Sequence, residues 1–153
     1  MILDSKIELI FRGGISKTDL SFVDFFLSKA KVIRFHYPEG LNLDSTVAIK
    51  EVFRQESYVD LVVENESLII LDIPIPNVFI NIGLKDGLIE LELFFDSKQL
   101  NDNGKEAIDQ TRKWALPFCK KYQFESVVCQ MDGANENEFY FNESGVGPLY
   151  MNL

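Results

Sequence analysis

The sequence predicts an α+β fold with a mainly antiparallel sheet, and three observations lead to this prediction. Predicted strands and helices alternate only at the start of the chain, and later strands follow one another directly. Asp86-Gly87 separates two alternating apolar segments, a pattern typical of a tight hairpin. Hydrophobic residues make up 46% of the 153 residues and include thirteen phenylalanines, enough to build a core. We expect a single domain, 1–153, with about three helices packed on the sheet.

The first third of the chain predicts alternating strands and helices. A strand over 6–11 is closed by Gly13-Gly14, and a helix follows that Ser16 or Thr18 can cap. A second strand covers 31–37. Asp44 or Ser45 can begin a second helix, because Ala48, Ile49, Val52 and Phe53 then share one face.

The middle of the chain predicts strands only. Segments 58–63 and 68–73 flank the polar run 64–67, which suits a four-residue hairpin loop. Pro74 and Pro76 should then interrupt the ladder, because neither has an N–H to donate.

The next hairpin has a predicted register. If Asp86 and Gly87 are the turn residues, Leu84 lies opposite Ile89, Ile82 opposite Leu91, Ile80 opposite Leu93 and Val78 opposite Phe95. The other face then pairs Gly83 with Glu90 and Asn81 with Glu92. A slip by one residue would bury Glu90 and Glu92, so the apolar pattern should fix this register.

The last third predicts one long helix and a final hairpin. The helix covers about 105–122, with Pro117 inside it, so we expect a kink or a split there. Strands over 124–131 and 138–141 should pair around the turn 132–135. The tail, 145–153, is too apolar to be left in solvent.

The charge of the chain excludes some classes of partner. Acidic residues outnumber basic ones 24 to 15, a formal charge of -9, which argues against binding nucleic acid or an anionic membrane surface. Residues 1–54 hold seven acids and eight bases, whereas 55–153 hold seventeen acids and seven bases. No base follows Lys121, although five acids do. We therefore expect one acidic side of the molecule.

The residues do not indicate an enzyme, a cofactor or a metal site. His36 is the only histidine, and Cys119 and Cys129 carry no catalytic-cysteine signature. Two cysteines are also too few for a disulfide framework and fit a reduced, cytoplasmic protein. No segment has the spacing of a zinc site, a phosphate-binding loop or an EF-hand.

Acidic residues interleaved with aromatics remain as candidate partner-binding residues. Such acids can steer a basic partner, and an aromatic side chain can anchor it. The predicted binding residues lie on the exposed hairpin face and in the last hairpin: Glu90, Glu92, Asp132, Glu136, Glu138, Tyr140 and Glu143.

The chain as a whole resembles the small acidic immunity proteins of bacterial polymorphic-toxin systems. The resemblance lies in its size, its charge and its strand-rich α+β order, and in segments 114–122, 129–132 and 147–150. It implies a protein that binds a cognate toxin, often a basic nuclease, and blocks its active site. The alternative is an enzymatic or small-molecule-binding domain with a pocket near His36.

Overall fold

The computed structural model describes residues 6–135 and 137–153, and within them eight strands form one antiparallel sheet. The order across the sheet is β2-β3-β4-β5-β1-β6-β7-β8, so the first strand lies between the fifth and the sixth. The predicted α+β class with a mainly antiparallel sheet is confirmed. The strands are β1 (Lys6–Gly14), β2 (Ala30–Tyr37), β3 (Tyr58–Ile70), β4 (Ile73–Lys85), β5 (Leu88–Asp96), β6 (Ser126–Met131), β7 (Phe139–Asn142) and β8 (Gly145–Val146).

Four α-helices and a short 3₁₀ helix accompany the sheet in the described residues: α1 (Phe22–Leu27), α2 (Thr46–Gln55), α3 (Gly104–Lys121), α4 (Pro148–Met151) and the 3₁₀ helix Ser97–Gln99. Aromatic rings join the main helices to the sheet. The ring centroid of Phe118 in α3 lies 5.0 Å from that of Phe11 in β1 and 5.8 Å from that of Phe26 in α1. Ile49 and Phe53 of α2 are buried in the same core. We call the sheet face that contributes to this core the inner face, and the opposite one the outer face.

The predicted register of the β4–β5 hairpin is confirmed from Leu84 opposite Ile89 to Ile80 opposite Leu93. The predicted pair of Val78 with Phe95 is wrong, because the ladder ends at Phe79 opposite Phe94. Ile82 lies opposite Leu91, and Asn81 lies opposite Glu92. Asp86 and Gly87 have φ of 51° and 80°, the positive values that a type I′ turn requires at both positions. The apolar pairs are buried and the polar pairs lie on the outer face, as alternation demands.

The predicted loop at 64–67 is wrong, because β3 continues through it to Ile70. The turn lies at Leu71 and Asp72, whose φ values are 50° and 65°. Asn65 explains the continuation: it is buried, and its side-chain amide donates to the carbonyl oxygen of Phe26 at 2.8 Å. A tertiary hydrogen bond therefore occupies a residue that sequence chemistry assigns to a turn.

The predicted break at Pro74 and Pro76 is also wrong, because both residues lie in β4 opposite Ile69 and Ser67. The residues flanking a two-residue turn form a hydrogen-bonded pair, so the next residue, Pro74, has its nitrogen directed away from β3. Pro76 repeats this orientation two residues later. β5 pairs with β4 only between Phe79 and Lys85 of β4. Neither proline therefore faces a neighbouring strand that needs a backbone N–H from it.

Helix α3 runs through Pro117 as one helix of 18 residues, so of the two predicted outcomes, a kink or a split, the split is wrong. Pro117 and Lys113, four residues earlier, are both exposed, and water can satisfy the carbonyl that the proline leaves without a donor. The buried stripe of this helix includes Ile108, Thr111, Ala115 and Phe118.

Of the two shorter predicted helices, α2 begins where the sequence predicts and α1 begins later. The Ser45 side chain accepts a hydrogen bond from the Ala48 N–H and caps α2, as expected. Helix α1 begins only at Phe22, because Gly13 and Gly14 extend β1 and Thr18 donates its hydroxyl to the Gly14 carbonyl. Among the described residues, no helix is both long and apolar enough to cross a membrane.

The C-terminal part confirms the final hairpin and adds two short elements. β6 and β7 pair antiparallel, with Cys129 opposite Phe141. The tail forms β8 and α4, and the Tyr150 hydroxyl donates to Asp109 of α3 at 2.8 Å. The apolar tail is therefore packed against the body of the protein, as the sequence predicts.

Candidate binding surface

Three glutamates meet on the outer face of the sheet. Glu90 and Glu92 project from β5, opposite Arg12 and Ile10 of β1, and Glu8 lies further along β1. The Arg12 Nε lies 2.7 Å from a carboxylate oxygen of Glu90. Gln130 of β6 donates to Glu8 at 3.2 Å. The two predicted residues Glu90 and Glu92 thus belong to a cluster that spans three strands.

The crowding of these carboxylates changes their protonation. Partial burial, a hydrogen bond with Glu90 and the charges of Glu90 and Glu8 raise the pKa of Glu92 to about 8. A hydrogen bond from Glu92 and the neighbouring Arg12 guanidinium hold the pKa of Glu90 below its usual range. At neutral pH, Glu92 is therefore mostly protonated and donates to the ionised Glu90.

Gly83 leaves a depression beside this cluster. It lies opposite Glu90 on one side and Asp60 on the other, and without a side chain it opens a cleft of about 450 Å³. Asn81 in the same cleft donates to Asp60 at 2.7 Å.

A pair of aromatic rings lies on the same face, at the other end of the hairpin. Phe79 of β4 faces Phe94 of β5, with ring centroids 5.9 Å apart in an edge-on arrangement. Glu64 lies beside Phe79 on β3, and Glu8 lies beside Phe94 on β1. These four residues form one row across four strands, with a glutamate at each end and the two phenylalanines in the middle. We call Glu64, Phe79, Phe94 and Glu8 the aromatic row.

The aromatic row borders the largest cleft described, of about 520 Å³. Its walls come from β1, β4, β5 and the 3₁₀ helix together with Asp132: Lys6, Ile7, Pro76, Asn77, Phe79, Phe94, Phe95, Asp96, Gln99 and Asp132. Phe79 is 38% exposed and is the only exposed phenylalanine of the thirteen, all of which the structure describes.

Sequence reasoning missed Phe79 and Phe94, although a signal for them was available. The predicted register that places Ile80 opposite Leu93 also places Phe79 opposite Phe94, on the face that should be exposed. Two large apolar residues paired on a solvent face are uncommon enough to indicate a binding surface.

The other predicted acids lie in the turns of the C-terminal hairpins and do not form one group. Asp132 and Glu138 are exposed, on either side of the turn between β6 and β7. Glu143 accepts a hydrogen bond from the Val127 N–H at 3.2 Å, so it lies near the other end of β6 from Asp132, about 17 Å away at the usual rise per residue. Glu136 lies outside the described residues.

Tyr140 does not project outward as the sequence-based hypothesis of an aromatic anchor requires. It is buried, with 6% of its surface exposed. The register between β6 and β7 shifts next to Cys129, so simple alternation does not give the direction of the side chains here. Tyr140 belongs to the packing of the terminal hairpin.

The structure does not place His36 in either of the two largest clefts described, as the alternative hypothesis of a pocket near this residue requires. His36 is half exposed, with its Nδ1 3.7 Å from an oxygen of Asp60. Cys119 and Cys129 are both free and buried, and burial raises the pKa of each thiol, that of Cys119 to about 11. Within 6–135 and 137–153, no group of three or more His, Cys, Asp or Glu side chains is arranged to hold a metal ion.

Comparisons with known proteins point to one kind of protein. A family model described as PABL017 Cdi1I immunity protein matches residues 5–145. The fold is similar to a chain in a crystal structure of the toxic C-terminal tip of CdiA from Pseudomonas aeruginosa in complex with immune protein. That match has a TM-score of 0.71 and 18% sequence identity, and covers 95% of this chain and 98% of the other. A comparison with curated proteins gives no match.

Proposed function

Because this chain belongs to the PABL017 Cdi1I immunity protein family, we propose that it binds the toxin encoded with it and neutralises that toxin. The match over residues 5–145 is the observation that carries the proposal. The likeness in fold to a chain from a complex between a CdiA toxin tip and an immune protein supports a protein toxin as the partner.

The proposed interface is acidic and the proposed toxin is basic. Glu90, Asp132, Glu138 and Glu143 are its proposed anionic contacts, together with Glu136, which lies between Asp132 and Glu138 in the sequence. Glu92 is also a proposed contact, although it is mostly protonated at neutral pH. The formal charge of -9 supports this assignment, because opposite charges speed the encounter of two proteins and disfavour wrong partners. The interface residues are themselves part of the proposal.

Neutralisation is proposed to act by occupation of the toxin and not by catalysis. The two thiols stay protonated at neutral pH because burial raises their pKa, so neither is an activated nucleophile. The carboxylates of Glu8, Glu90 and Glu92 are engaged by Arg12, Gln130 and one another. We place the protein in the cytoplasm, where its two free cysteines remain reduced.

The experiment is to express the toxin domain encoded beside this chain in a sensitive bacterium, with and without this protein. We expect growth to be restored only when the two are produced together, and a complex to purify from those cells. A chain from an unrelated toxin system, produced at the same level, is the control. Undiminished toxicity in the presence of folded protein would refute the proposal.

A second measurement separates occupation from chemical modification. The complex is dissociated in denaturant, and the toxin is isolated and refolded. We expect its full activity to return, because non-covalent binding leaves the toxin unchanged. A toxin that stays inactive, or whose mass has changed, would contradict a non-enzymatic mechanism.

A further inference from the structure

The cleft beside the aromatic row exists because two paired strands separate. β4 and β5 pair from Lys85 opposite Leu88 to Phe79 opposite Phe94, and no further. Beyond that point β4 continues with Asn77, which has a φ of 56°, and with Pro76, which cannot donate a backbone hydrogen bond. β5 instead ends at Asp96 and enters the 3₁₀ helix. The opening is therefore built into the backbone and does not depend on a movement of side chains.

The chemistry of this opening combines aromatic surface with negative charge. The Phe79 and Phe94 rings lie side by side in it, and the carboxylates of Glu64 and Glu8 stand at the two ends of their row. Asp96 and Asp132 lie on the wall of the cleft. Four acids thus surround the rings, against Lys6 on the wall and Lys31 beside Phe79.

These features favour a cation that carries its own apolar stem. The face of an aromatic ring attracts a positive charge, and carboxylates at both ends of the row add to that attraction. The methylene groups of a lysine or arginine can lie on the rings while the charged group reaches an acid. A purely apolar ligand would desolvate the neighbouring carboxylates without bringing a positive charge to balance them, which is costly.

We propose that the aromatic row is the anchor site for the toxin, and that its occupant is a lysine or arginine side chain from the toxin surface. This inference rests on the proposed function and adds to it the position and the chemistry of the central contact. Exposed aromatic residues in recessed positions commonly contribute much of the affinity of a protein interface.

The test measures binding of the purified full chain to the purified toxin domain encoded beside it, made inactive by substitution. Phe79→Ala should weaken binding at least about tenfold, mainly through faster dissociation. Val47→Ala is the matched control, because Val47 is 67% exposed on α2 and lines neither of the two largest clefts described. It should leave the affinity within about twofold, as surface residues outside an anchor do.

A second variant keeps the test valid if Phe79→Ala perturbs folding. Glu64→Gln removes one charge from the exposed end of the row and should weaken binding about threefold. Glu39→Gln, in the exposed loop before α2, makes the same change of net charge outside the row and should have no effect. Thermal unfolding of each variant confirms that the fold is intact.

The toxin side of the contact is found with double-mutant cycles. Each surface lysine and arginine of the toxin is changed to alanine and tested against wild type and Phe79→Ala. For one basic residue, we expect the double change to weaken binding much less than the product of the two single effects.

Three outcomes would overturn the inference, and they can be told apart from failure of the proposed function. Wild-type protein that does not bind the toxin refutes the proposed function itself. Binding by wild type together with unchanged binding by folded Phe79→Ala and Glu64→Gln refutes only the anchor site. Weakened binding that couples to an apolar toxin residue and to no basic one refutes the cationic occupant. A wild-type dimer that Phe79→Ala dissociates, with toxin binding unchanged, would instead make a second copy of this chain the occupant.

Discussion

At the residue scale, Glu92 is distinguished by the proton it holds. Its pKa of about 8 means that folding takes up a proton at neutral pH, since the same group has a pKa of about 4.5 when unfolded. The proton lies in the hydrogen bond to Glu90, whose charge is also balanced by Arg12. The outer face therefore carries less negative charge at neutral pH than its glutamates suggest.

The raised pKa predicts a pH-dependent stability. Between about pH 4.5 and pH 8 the folded chain holds one more proton than the unfolded chain, so the stability contributed by Glu92 is fully present at the acid end and is lost as the pH rises. Glu90, whose pKa is lowered, is ionised in both states above pH 5 and adds no slope there. We expect the free energy of unfolding to fall by about 1–2 kcal/mol from pH 5.5 to pH 8, since solvent screens a partly exposed pair.

Glu92→Gln isolates this effect, because glutamine can still donate a hydrogen bond to Glu90 but does not titrate. Denaturant unfolding of both proteins at pH 5.5 and pH 8 should show a flatter pH dependence for the variant. Titrating groups outside the cluster of Glu8, Glu90 and Glu92 are common to the two proteins and cancel in the comparison. Parallel pH profiles would show that Glu92 is ionised in the folded state.

At the element scale, the β3–β4 hairpin depends on a turn with little turn character in its sequence. Leu71 and Asp72 both adopt positive φ, which is unfavourable for leucine. The long ladder, from Tyr58 opposite Lys85 to Ile70 opposite Ile73, holds them in this conformation. The turn is thus imposed by the strands that it connects.

Asp72→Gly should stabilise the protein by up to about 1 kcal/mol, because glycine is the preferred second residue of a type I′ turn. Urea unfolding should show a higher midpoint with an unchanged m-value. As a control, Glu66→Gly places glycine inside β3 and should destabilise by about 1 kcal/mol. If the turn lay at 64–67, Glu66→Gly would instead stabilise the protein and Asp72→Gly would destabilise it.

The two central hairpins show which parts of the fold the sequence could predict. The β4–β5 register followed from strict alternation and a strong turn pair, both of which are local signals. The β3–β4 turn did not, because the hydrogen bond between Asn65 and Phe26 joins residues 39 positions apart. Local chemistry cannot reveal such a partner, and the polar run was assigned to a loop for that reason.

The candidate site divides in the same way. The positions of Glu90 and Glu92 on the exposed face followed from the register, and the same register already contained the Phe79–Phe94 pair. The burial of Tyr140 could not be predicted, because it depends on a register shift in a strand of only four residues. The proximity of Asp132 to the aromatic row could not be predicted either, because it results from β1 lying between β5 and β6.

At the scale of the whole molecule, the charge imbalance predicts how the toxin is bound. Long-range attraction between an acidic protein and a basic toxin should speed association, and salt should reduce it, because the Debye length is about 8 Å at physiological ionic strength. We expect the association rate to fall several-fold between 50 and 500 mM salt, with a much smaller change in dissociation. Stopped-flow mixing measures both rates.

Reversal of two turn acids, Asp132→Lys with Glu138→Lys, should slow association several-fold at low salt. The control reverses Glu39 and Asp44, two exposed acids in the loop between β2 and α2, and changes the net charge equally. That loop adjoins the edge strand β2, far from β6 and β7 in the sheet order. If both double variants slowed association equally, the effect would come from net charge alone. The acids of the C-terminal hairpin would then have no special part in attracting the toxin.

The position of β1 in the middle of the sheet also sets when the protein can begin to act. Residues 6–14 are synthesised well before their pairing partners, Leu88–Asp96 and Ser126–Met131. At bacterial speeds of about 5–20 residues per second, β1 waits roughly 6–25 s for its second neighbour. Glu8 and Phe94 cannot come together until β1 and β5 join. The anchor site that we propose is therefore incomplete until β5 has been made and has joined β1.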